Sequence, residues 1–441
     1  MEDMPHVVLR YKGVLVNRSE HKIIAEYLLA TRNEIAIDQS MYALCGLSPD
    51  DFGCAPRPSK LVAYARYRTL LHMLMVLLRT VWRWGAARLL FRVQCKRLRA
   101  ALSSQRGAIG DGFDAFALGF SARAAQLITP QLIGERFCWV TLPWVPVQLD
   151  DQPAMAITDL LDQADLEKAL GYAIVASRKL NTSARAAPWG LQSYTAFRWF
   201  CVRLALEKLP AKTLLIGEHY DRWAILADRV MWAARARDAR NAQGIVLVQH
   251  GALEALGDSA ADQPRRLPVA LACRLRSVKT LYAFDQGSVE IIRDAVLSPL
   301  CRLAPDAVRL YSPVIHVRPM KSVHSLRLLF VGHPICETLH VHIVEALGEG
   351  ISSYYKPHPA NPSSARVNSA SWTVIHDKTV FPEVDLLISY PSTLVKEYEG
   401  MNIPAIIHPL NMPPADAGDL IESIKRAVEL LARQKGVHTK H

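Results

Sequence analysis

The sequence predicts an α/β protein with two Rossmann-like domains that face a cleft, and an added basic helical segment near the N-terminus. Three observations lead to this fold class. The chain has 441 residues, about three times the length of a typical domain. Half of the residues are hydrophobic and 21% are charged, which suffices for buried cores. From residue 213 onward, short apolar runs alternate with helical patterns, as in parallel sheets covered on both faces.

Composition also bears on the cellular compartment. The eight cysteines are spread over the chain without any Cys-x-x-Cys pair, so we expect buried thiols in a reducing compartment and neither a disulfide framework nor a zinc site. The first five residues, Met-Glu-Asp-Met-Pro, lack the basic and apolar segments of a secretory signal. These features favour a globular protein that faces the cytosol.

The positive charge is concentrated in one segment. The net charge is +11, yet residues 53–110 contain no Asp or Glu. Good helix formers dominate residues 59–104, and apolar side chains recur there every three or four positions. We therefore predict one long helix or two, with a possible break at Gly85. We call residues 53–110 the basic segment. It carries twelve basic residues: Arg57, Lys60, Arg66, Arg68, Arg79, Arg83, Arg88, Arg92, Lys96, Arg97, Arg99 and Arg106.

This basic segment is too often interrupted by charge to cross a bilayer. Its longest run without a charged residue, Thr69–Leu78, has ten residues, whereas a spanning helix needs about 20. An interfacial helix on an anionic membrane fits better. In that arrangement Trp82 and Trp84 lie at the headgroup level, and basic side chains reach the lipid phosphates: Arg79, Arg83, Arg88 and Arg92.

Two other interpretations of the basic segment remain. It can be an internal helical hairpin that packs on its own domain, with its arginines solvated. Nucleic acid also attracts such charge, but here the basic residues alternate with large aliphatic side chains and not with stacking aromatic and polar ones. We therefore expect no nucleic-acid partner.

Strands and helices are predicted in order along the chain. A helix at Glu20–Thr31 and a short strand at Glu34–Asp38 precede the basic segment. The prolines and the lack of periodicity in Ser312–Ser325 suggest a linker, so we expect domains at 1–315 and 316–416 and a closing helix with a tail at 417–441. The predicted strands are Thr213–Glu218, Gly244–His250, Lys279–Phe284, Val308–Tyr311, Leu326–Val331, Ser352–Lys356, Trp372–His376, Asp385–Ser389 and Ala405–His408. The predicted helices are Asp221–Ala239, Gln286–Val296, Glu337–Leu347, Leu394–Gly400 and Ala417–Gln434.

Polar motifs follow three strands of the second domain, where ligands bind in such sheets. In Phe330-Val-Gly-His-Pro334, Gly332 allows a tight turn towards a helix N-terminus, and His333 follows it. In Tyr354-Tyr-Lys-Pro-His-Pro359, prolines on both sides restrict the backbone around His358, which can bond a phosphate or give a proton to a leaving group. Lys356 adds a positive charge. A turn histidine with a structural hydrogen bond explains this second motif equally well.

The third motif is Ser389-Tyr-Pro-Ser-Thr-Leu394. Ser392 or Thr393 can cap the following helix, and the same geometry aims hydroxyl and backbone N–H groups at an anion. Glu397 continues this strand–helix–strand unit.

The first domain offers candidates for a general base. Ile216-Gly-Glu-His-Tyr-Asp-Arg-Trp223 ends one strand, and Val248-Gln-His-Gly251 ends the next. Glu218 ranks first because it follows its strand directly and has no evident structural role. His250 ranks second, although it can be a simple turn residue. Asp221 ranks third, since it stands where a helix N-cap is expected.

Taken together, the motifs resemble GT-B glycosyltransferases of bacterial surface polysaccharide (capsule and lipopolysaccharide) synthesis over residues 210–410. The nearest likeness is to sialyltransferases, polysialyltransferases and Kdo transferases, whose donors are CMP-sugars. The resemblance implies that His358-Pro359 and Ser392-Thr393 bind the CMP phosphate and ribose, with Gly332, His333, Lys356 and Glu397 beside them. The Asp/Glu-Asp/Glu-Gly motif of the sialyltransferases is missing, which leaves the base open.

The resemblance defines the expected partners. They are a nucleotide-sugar donor, a glycan or glycolipid acceptor and the anionic inner face of the cytoplasmic membrane. The chain contains no Asp-x-Asp, so we expect no metal and no cofactor. Three alternatives stay open: a CDP-glycerol-type polymerase, a nucleotide-sugar 2-epimerase and a non-catalytic assembly protein at the membrane.

Overall fold

The computed structural model describes most of the chain. The described residues are 9–11, 14–16, 18–61, 64, 67–102, 112–149, 151–183, 185–237, 243–254, 267, 269–313, 315–348, 350–358 and 363–436. Pro359, Arg66 and Arg106 therefore lie outside the described residues.

The N-terminal domain is built on a sheet of seven parallel strands in the order β5-β4-β3-β6-β7-β8-β9. Its central strands are fully buried because helices cover both faces, as their continuous apolar sequences predict. The strands are β3 (Ala115–Leu118), β4 (Cys138–Thr141), β5 (Ala154–Ala156), β6 (Thr213–Ile216), β7 (Gly244–Val248), β8 (Val278–Ala283) and β9 (Val308–Leu310). A separate antiparallel pair, β1 (Leu9–Tyr11) and β2 (Val14–Val16), precedes them.

Helices surround this sheet, and the first of them corrects a prediction. Helix α1 runs unbroken from Arg18 to Leu44, so the strand predicted at Glu34–Asp38 is wrong. Glu34 and Asp38 are four residues apart and share one helix face, where they meet Arg222 and Gln192. The other helices of the domain are α4 (Ala122–Leu127), α5 (Pro130–Ile133), α6 (Gln163–Thr182), α7 (Ala196–Lys208), α8 (Arg222–Arg237) and α9 (Gln286–Ile291).

The basic segment forms two helices, α2 (Arg68–Val81) and α3 (Ala87–Ala100). A five-residue π-helical turn, Trp82–Ala86, joins them, and Gly85 leaves helical geometry there, which confirms the predicted break. Helix α3 packs into the core through Phe91, Cys95 and Leu98. Among the described residues, no helix combines the length and the hydropathy needed to cross a bilayer.

The C-terminal domain has a parallel five-stranded sheet in the order β13-β12-β11-β15-β16. The predicted linker contains β10 (Val317–Arg318), which pairs with β14 (Phe381–Pro382). The sheet strands are β11 (Arg327–Val331), β12 (Ser352–Lys356), β13 (Thr373–Val374), β15 (Leu386–Ser389) and β16 (Ala405–Ile407). The helices are α10 (Glu337–Leu347), α11 (Ala365–Asn368), α12 (Thr393–Glu399) and α13 (Gly418–Gln434), and the last packs on this domain's own core.

The fold class predicted from the sequence, α/β with two parallel sheets, is confirmed. Each sheet has its own apolar core. The carboxyl ends of β7, β11, β12 and β15 lead into segments that line a common cavity between the two sheets.

Candidate functional site

The cleft contains a cavity of about 760 Å³, a size typical of small-molecule sites, which span about 300–1,000 Å³. Its wall is made by both domains. The N-terminal domain contributes Ala122, Arg123, Gln126 and His250. Seven residues predicted for the site lie on this wall: His250, Gly332, Lys356, His358, Ser392, Thr393 and Glu397.

His250 is held in one orientation by its neighbours. Its Nδ1 contacts the carbonyl oxygen of Gly217. Because a carbonyl only accepts hydrogen bonds, Nδ1 carries the proton and Nε2 keeps its lone pair. The ring stacks on His219 at 4.7 Å, and the backbone N–H of His250 donates to His219 Nε2 over 3.2 Å. Burial lowers the pKa of both histidines, so His250 is a neutral imidazole that can accept a proton.

The loop that carries His250 is fixed by Gln249. The side-chain amide of Gln249 donates to the carbonyl oxygen of Gly251 (3.0 Å) and to Ser288 Oγ (3.1 Å), and it accepts from the N–H of Phe284 (2.8 Å). This buried amide thus ties the end of β7 to the start of α9. These three hydrogen bonds give the glutamine of the Gln-His-Gly motif a structural role beside His250.

The two carboxylates proposed as bases lie elsewhere. Glu218 is only 5% exposed and is not on the cavity wall. Ser121 bonds its carboxyl group, and none of the described residues provides a hydrogen bond to its Oε2. Burial raises the pKa of Glu218 to about 7. Asp221 accepts the N–H groups of Trp223 (2.8 Å) and Ala224 (2.9 Å), as an N-terminal cap of α8 does.

His358 faces the cavity from the opposite domain. Its ring lies 5.2 Å from that of His333, edge to face. His333 is buried behind it, away from the cavity wall, and its Nδ1 accepts the N–H of Ile335 over 3.3 Å. Burial, with His358 nearby, lowers the pKa of His333 to about 3, and burial also lowers the pKa of His358. Both rings are therefore neutral near pH 7.

Gly332 is required by a close approach and not by an unusual backbone angle. A Cβ atom at this position would overlap the ring and the hydroxyl of Tyr355 on the neighbouring strand. Only glycine therefore allows β11 and β12 to bring their ends together beneath the cavity.

Lys356 is engaged by protein groups. Its ammonium donates to the carbonyl oxygens of Val380 (2.7 Å), Asp377 (3.1 Å) and Lys378 (3.4 Å), and it lies 4.6 Å from the centre of the Phe381 ring. Burial lowers its pKa to about 8. Because an ammonium has three N–H groups, these bonds occupy all of them. Lys356 therefore orders the loop 377–380, which also lines the cavity.

The serine and threonine motif makes contacts across the cleft. Ser392 stands at the N-cap of α12 but makes no capping bond, and its Oγ instead bonds Ser389 Oγ at 3.0 Å. Thr393 Oγ1 accepts the N–H of Ala252 from the other domain over 3.1 Å. Glu397, 3% exposed, forms an ion pair with Arg123, also of the other domain.

Sequence reasoning missed Arg123, the cation on the N-terminal wall of the cavity. It lies on α4, directly after β3, and Ser121 caps this helix by accepting the N–H of Ala124 over 3.2 Å. The signal was present in the sequence: the apolar run Ala115–Leu118, then Gly119 and Ser121, repeats the strand–turn–helix pattern used elsewhere in the chain.

Comparisons with known proteins give matches among solved structures alone. No protein-family model and no curated protein matches the chain. UDP-GlcNAc 2-epimerase from Neisseria meningitidis shares 9% identity at a TM-score of 0.39, covering 71% of this chain and 91% of its own. The wall teichoic acid polymerase TagF shares 9% identity at a TM-score of 0.33, covering 76% and 80%. MurG from Acinetobacter baumannii shares 11% sequence identity at a TM-score of 0.32, and the match covers 71% of this chain and 91% of MurG. Values this low carry no information on activity or substrate.

Proposed function

We propose that this protein is a metal-independent glycosyltransferase that moves a sugar of the sialic acid or Kdo class from a CMP-activated donor to an acceptor. The acceptor is a surface glycan or glycolipid at the cytoplasmic face of the membrane. The main support is the placement of His250 and His358 on opposite walls of one cavity of suitable volume. The choice of CMP rests on the resemblance of the motifs around His358 and Ser392.

The C-terminal wall is the donor side in this proposal. The departing CMP carries its negative charge on a single phosphate, and placing polar groups around that charge is often the largest catalytic term. On this wall His358 and Ser392 supply the hydrogen bonds to the phosphate. Arg123, which pairs with Glu397 in the structure, would supply a positive charge from the other wall when the phosphate draws it away from that partner.

The N-terminal wall is the acceptor side. The hydroxyl of the acceptor gives its proton to His250 Nε2 while its oxygen bonds the anomeric carbon and the bond to CMP breaks. His250 suits this role because the Gly217 carbonyl fixes its tautomer and burial keeps it neutral. We therefore rank His250 above Glu218 and Asp221, whose carboxyl groups lie off the cavity wall.

The first experiment is a thermal-shift panel with CMP, CDP, UDP and GDP, followed by transfer assays with CMP-sugars. His250→Gln should lower kcat by roughly 100-fold or more, the contribution of a general base, while the affinity for CMP stays unchanged. His358→Ala should abolish transfer and weaken CMP binding. The matched control is His342→Gln, which changes an exposed histidine of α10.

Four results would contradict the proposal. If His250→Gln has the kcat of the wild type, His250 is not the general base. Conversion of a nucleotide sugar to its 2-epimer without any acceptor would identify an epimerase. Stabilisation by CDP and polymerisation of glycerol phosphate would identify a CDP-glycerol-type enzyme. A protein that binds none of these nucleotides would be a non-catalytic assembly protein.

A further inference from the structure

Helix α2 leaves a broad apolar face uncovered. None of its residues is buried, and Leu77 is 60% exposed. In the adjoining turn Trp84 is 84% exposed. The exposed apolar side chains recur every three or four residues and so share one side of the helix. They are Leu70, Met73, Leu74, Leu77, Leu78 and Val81.

The opposite side holds α2 on the protein. His72 Nδ1 bonds the carbonyl oxygen of Asp50 over 2.7 Å. Met75 packs against Gly53, and Leu71 packs on the apolar cluster of Tyr42 and Phe52. The helix is therefore fixed in place, and its apolar face points away from the described part of the domain.

Trp82 differs from the expectation drawn from the sequence. It is 8% exposed, its Nε1 donates to Ser193 Oγ over 2.9 Å, and its ring packs on Phe91. Trp82 is a core residue that fixes the bend between the helices. Trp84 alone of the pair is available at the surface.

Helix α3 continues this surface with cations around apolar side chains. Leu89 is 66% and Val93 39% exposed. The basic residues beside them are exposed as well: Arg88, Arg92, Lys96 and Arg97. Long basic side chains can lie along apolar surface and carry their charge to phosphates above it.

A second cavity, of about 150 Å³, lies between the bend and α6. Arg83 lines it from the bend, Arg88 from the first turn of α3, and Arg178 from α6 beside Ser177 and Asn181. A volume of this size would hold several water molecules at about 30 Å³ each. Three arginines therefore line one small cavity, together with apolar side chains such as Trp82 and Phe91, and a guanidinium group binds the oxygens of a phosphate well.

We propose that α2, the bend and α3 dock on an anionic phospholipid bilayer, and that the cavity at the bend receives a phosphate headgroup. The charge selects this occupant: a second copy of the chain would bring two acid-free, arginine-rich segments together, and like charges repel. The inference does not rest on the proposed transferase activity.

The test is co-sedimentation of the full chain with vesicles. The vesicles are phosphatidylcholine alone, or an equimolar mixture of phosphatidylcholine and phosphatidylglycerol. Wild type should bind the mixed vesicles strongly and the neutral ones weakly, and salt should release part of it. Arg83→Gln with Arg88→Gln should weaken binding to mixed vesicles roughly thirty-fold. Leu74→Gln with Leu77→Gln should weaken it roughly tenfold or more.

Matched controls lie on α13. Arg426→Gln with Arg433→Gln removes the same charge there, and Leu430→Gln removes an exposed leucine; none of these should change binding. A far-UV circular dichroism spectrum and a Tm equal to those of the wild type show that each variant is folded, and neither measurement depends on the proposed transferase activity.

Four outcomes would overturn the inference. The first is equal binding to both kinds of vesicle. The second is an equal loss in the α13 controls. The third is a dimer in gel filtration that the leucine pair dissociates, because a second copy would then cover the face. The fourth is full competition by inorganic phosphate at the bend, which would assign that cavity to free phosphate and not to lipid.

Discussion

Replacing Glu218 by glutamine should stabilise the protein in a pH-dependent way. The carboxyl group is buried beneath Ser121, and burial raises its pKa from 4.5 to about 7. Between these two pH values the folded chain keeps a proton that the unfolded chain has lost. The free energy of unfolding therefore decreases as the pH rises from 4.5 to about 7, and above that pH the whole penalty is present.

The size of the effect follows from the two pKa values. Each tenfold change in proton affinity corresponds to about 1.4 kcal/mol, so the difference between 4.5 and about 7 amounts to about 3 kcal/mol. Glutamine has nearly the same shape and no charge. Glu218→Gln should therefore raise the free energy of unfolding by up to about 3 kcal/mol at pH 8 and by almost nothing at pH 4.

Urea unfolding at several pH values measures this gain, with Glu345→Gln on the surface of α10 as the matched control. The kcat for transfer should stay within a few-fold of wild type, because Glu218 is not on the cavity wall. A Glu218→Gln protein that is folded but has lost kcat would refute this reasoning and make Glu218 the base. So would a variant less stable than wild type at pH 8.

Three further predictions concern the cavity. If neutral His250 is the base, kcat/KM should stay constant as the pH is lowered to below 6.5 and should decrease only at still lower pH. If Glu218 were the base, the decrease would begin near pH 7. Lys356→Met should raise the KM for the donor more than it lowers kcat, because the loop 377–380 loses its anchor, and should cost about 1–3 kcal/mol in urea unfolding. Arg123→Gln should destabilise by roughly 1–3 kcal/mol, since it leaves the buried Glu397 unpaired, and adding Glu397→Gln should restore part of that loss in a double-mutant cycle.

The C-terminal domain could be predicted from sequence because its elements carry strong signals. Strands β11 and β15 are short, largely apolar runs, β12 contains two adjacent tyrosines, and a turn residue follows or ends each of the three: Gly332, Pro357 and Ser389. In the N-terminal domain β3 and β5 were not predicted, because they have only four and three residues and contain much alanine, a weak strand former. For β3 the available signal was its short apolar run followed by Gly119 and Ser121. The strand predicted at residues 34–38 failed because tertiary partners, chiefly Arg222, select the helical face of Glu34 and Asp38.

The position of the site was predictable, and the roles of its residues were less so. Side chains at the carboxyl ends of parallel strands meet at one edge of a sheet, so the motifs around His358 and Ser392 had to converge. His250 belongs to the other sheet, and it lines the same cavity because both sheets direct the carboxyl ends of their strands towards the cleft. The bonds of a side chain depend instead on loops far away in sequence. Lys356 is occupied by carbonyl groups more than twenty positions later, and Glu218 lies behind a serine about a hundred positions earlier.

Helix α12 joins the donor motif to the contacts that position the domains. Thr393 accepts from Ala252, Lys396 pairs with Asp285 at 3.1 Å, and Glu397 pairs with Arg123. All three contacts cross the cleft. A phosphate bound beside Ser392 would attract Arg123 away from Glu397, so donor binding and the contact between the domains compete for the same guanidinium group. The domains can then exist with the Arg123–Glu397 pair intact or broken, and the donor shifts the balance between these two arrangements only if it binds one of them more tightly. The Arg123–Glu397 pair is the described contact where that difference in affinity would arise.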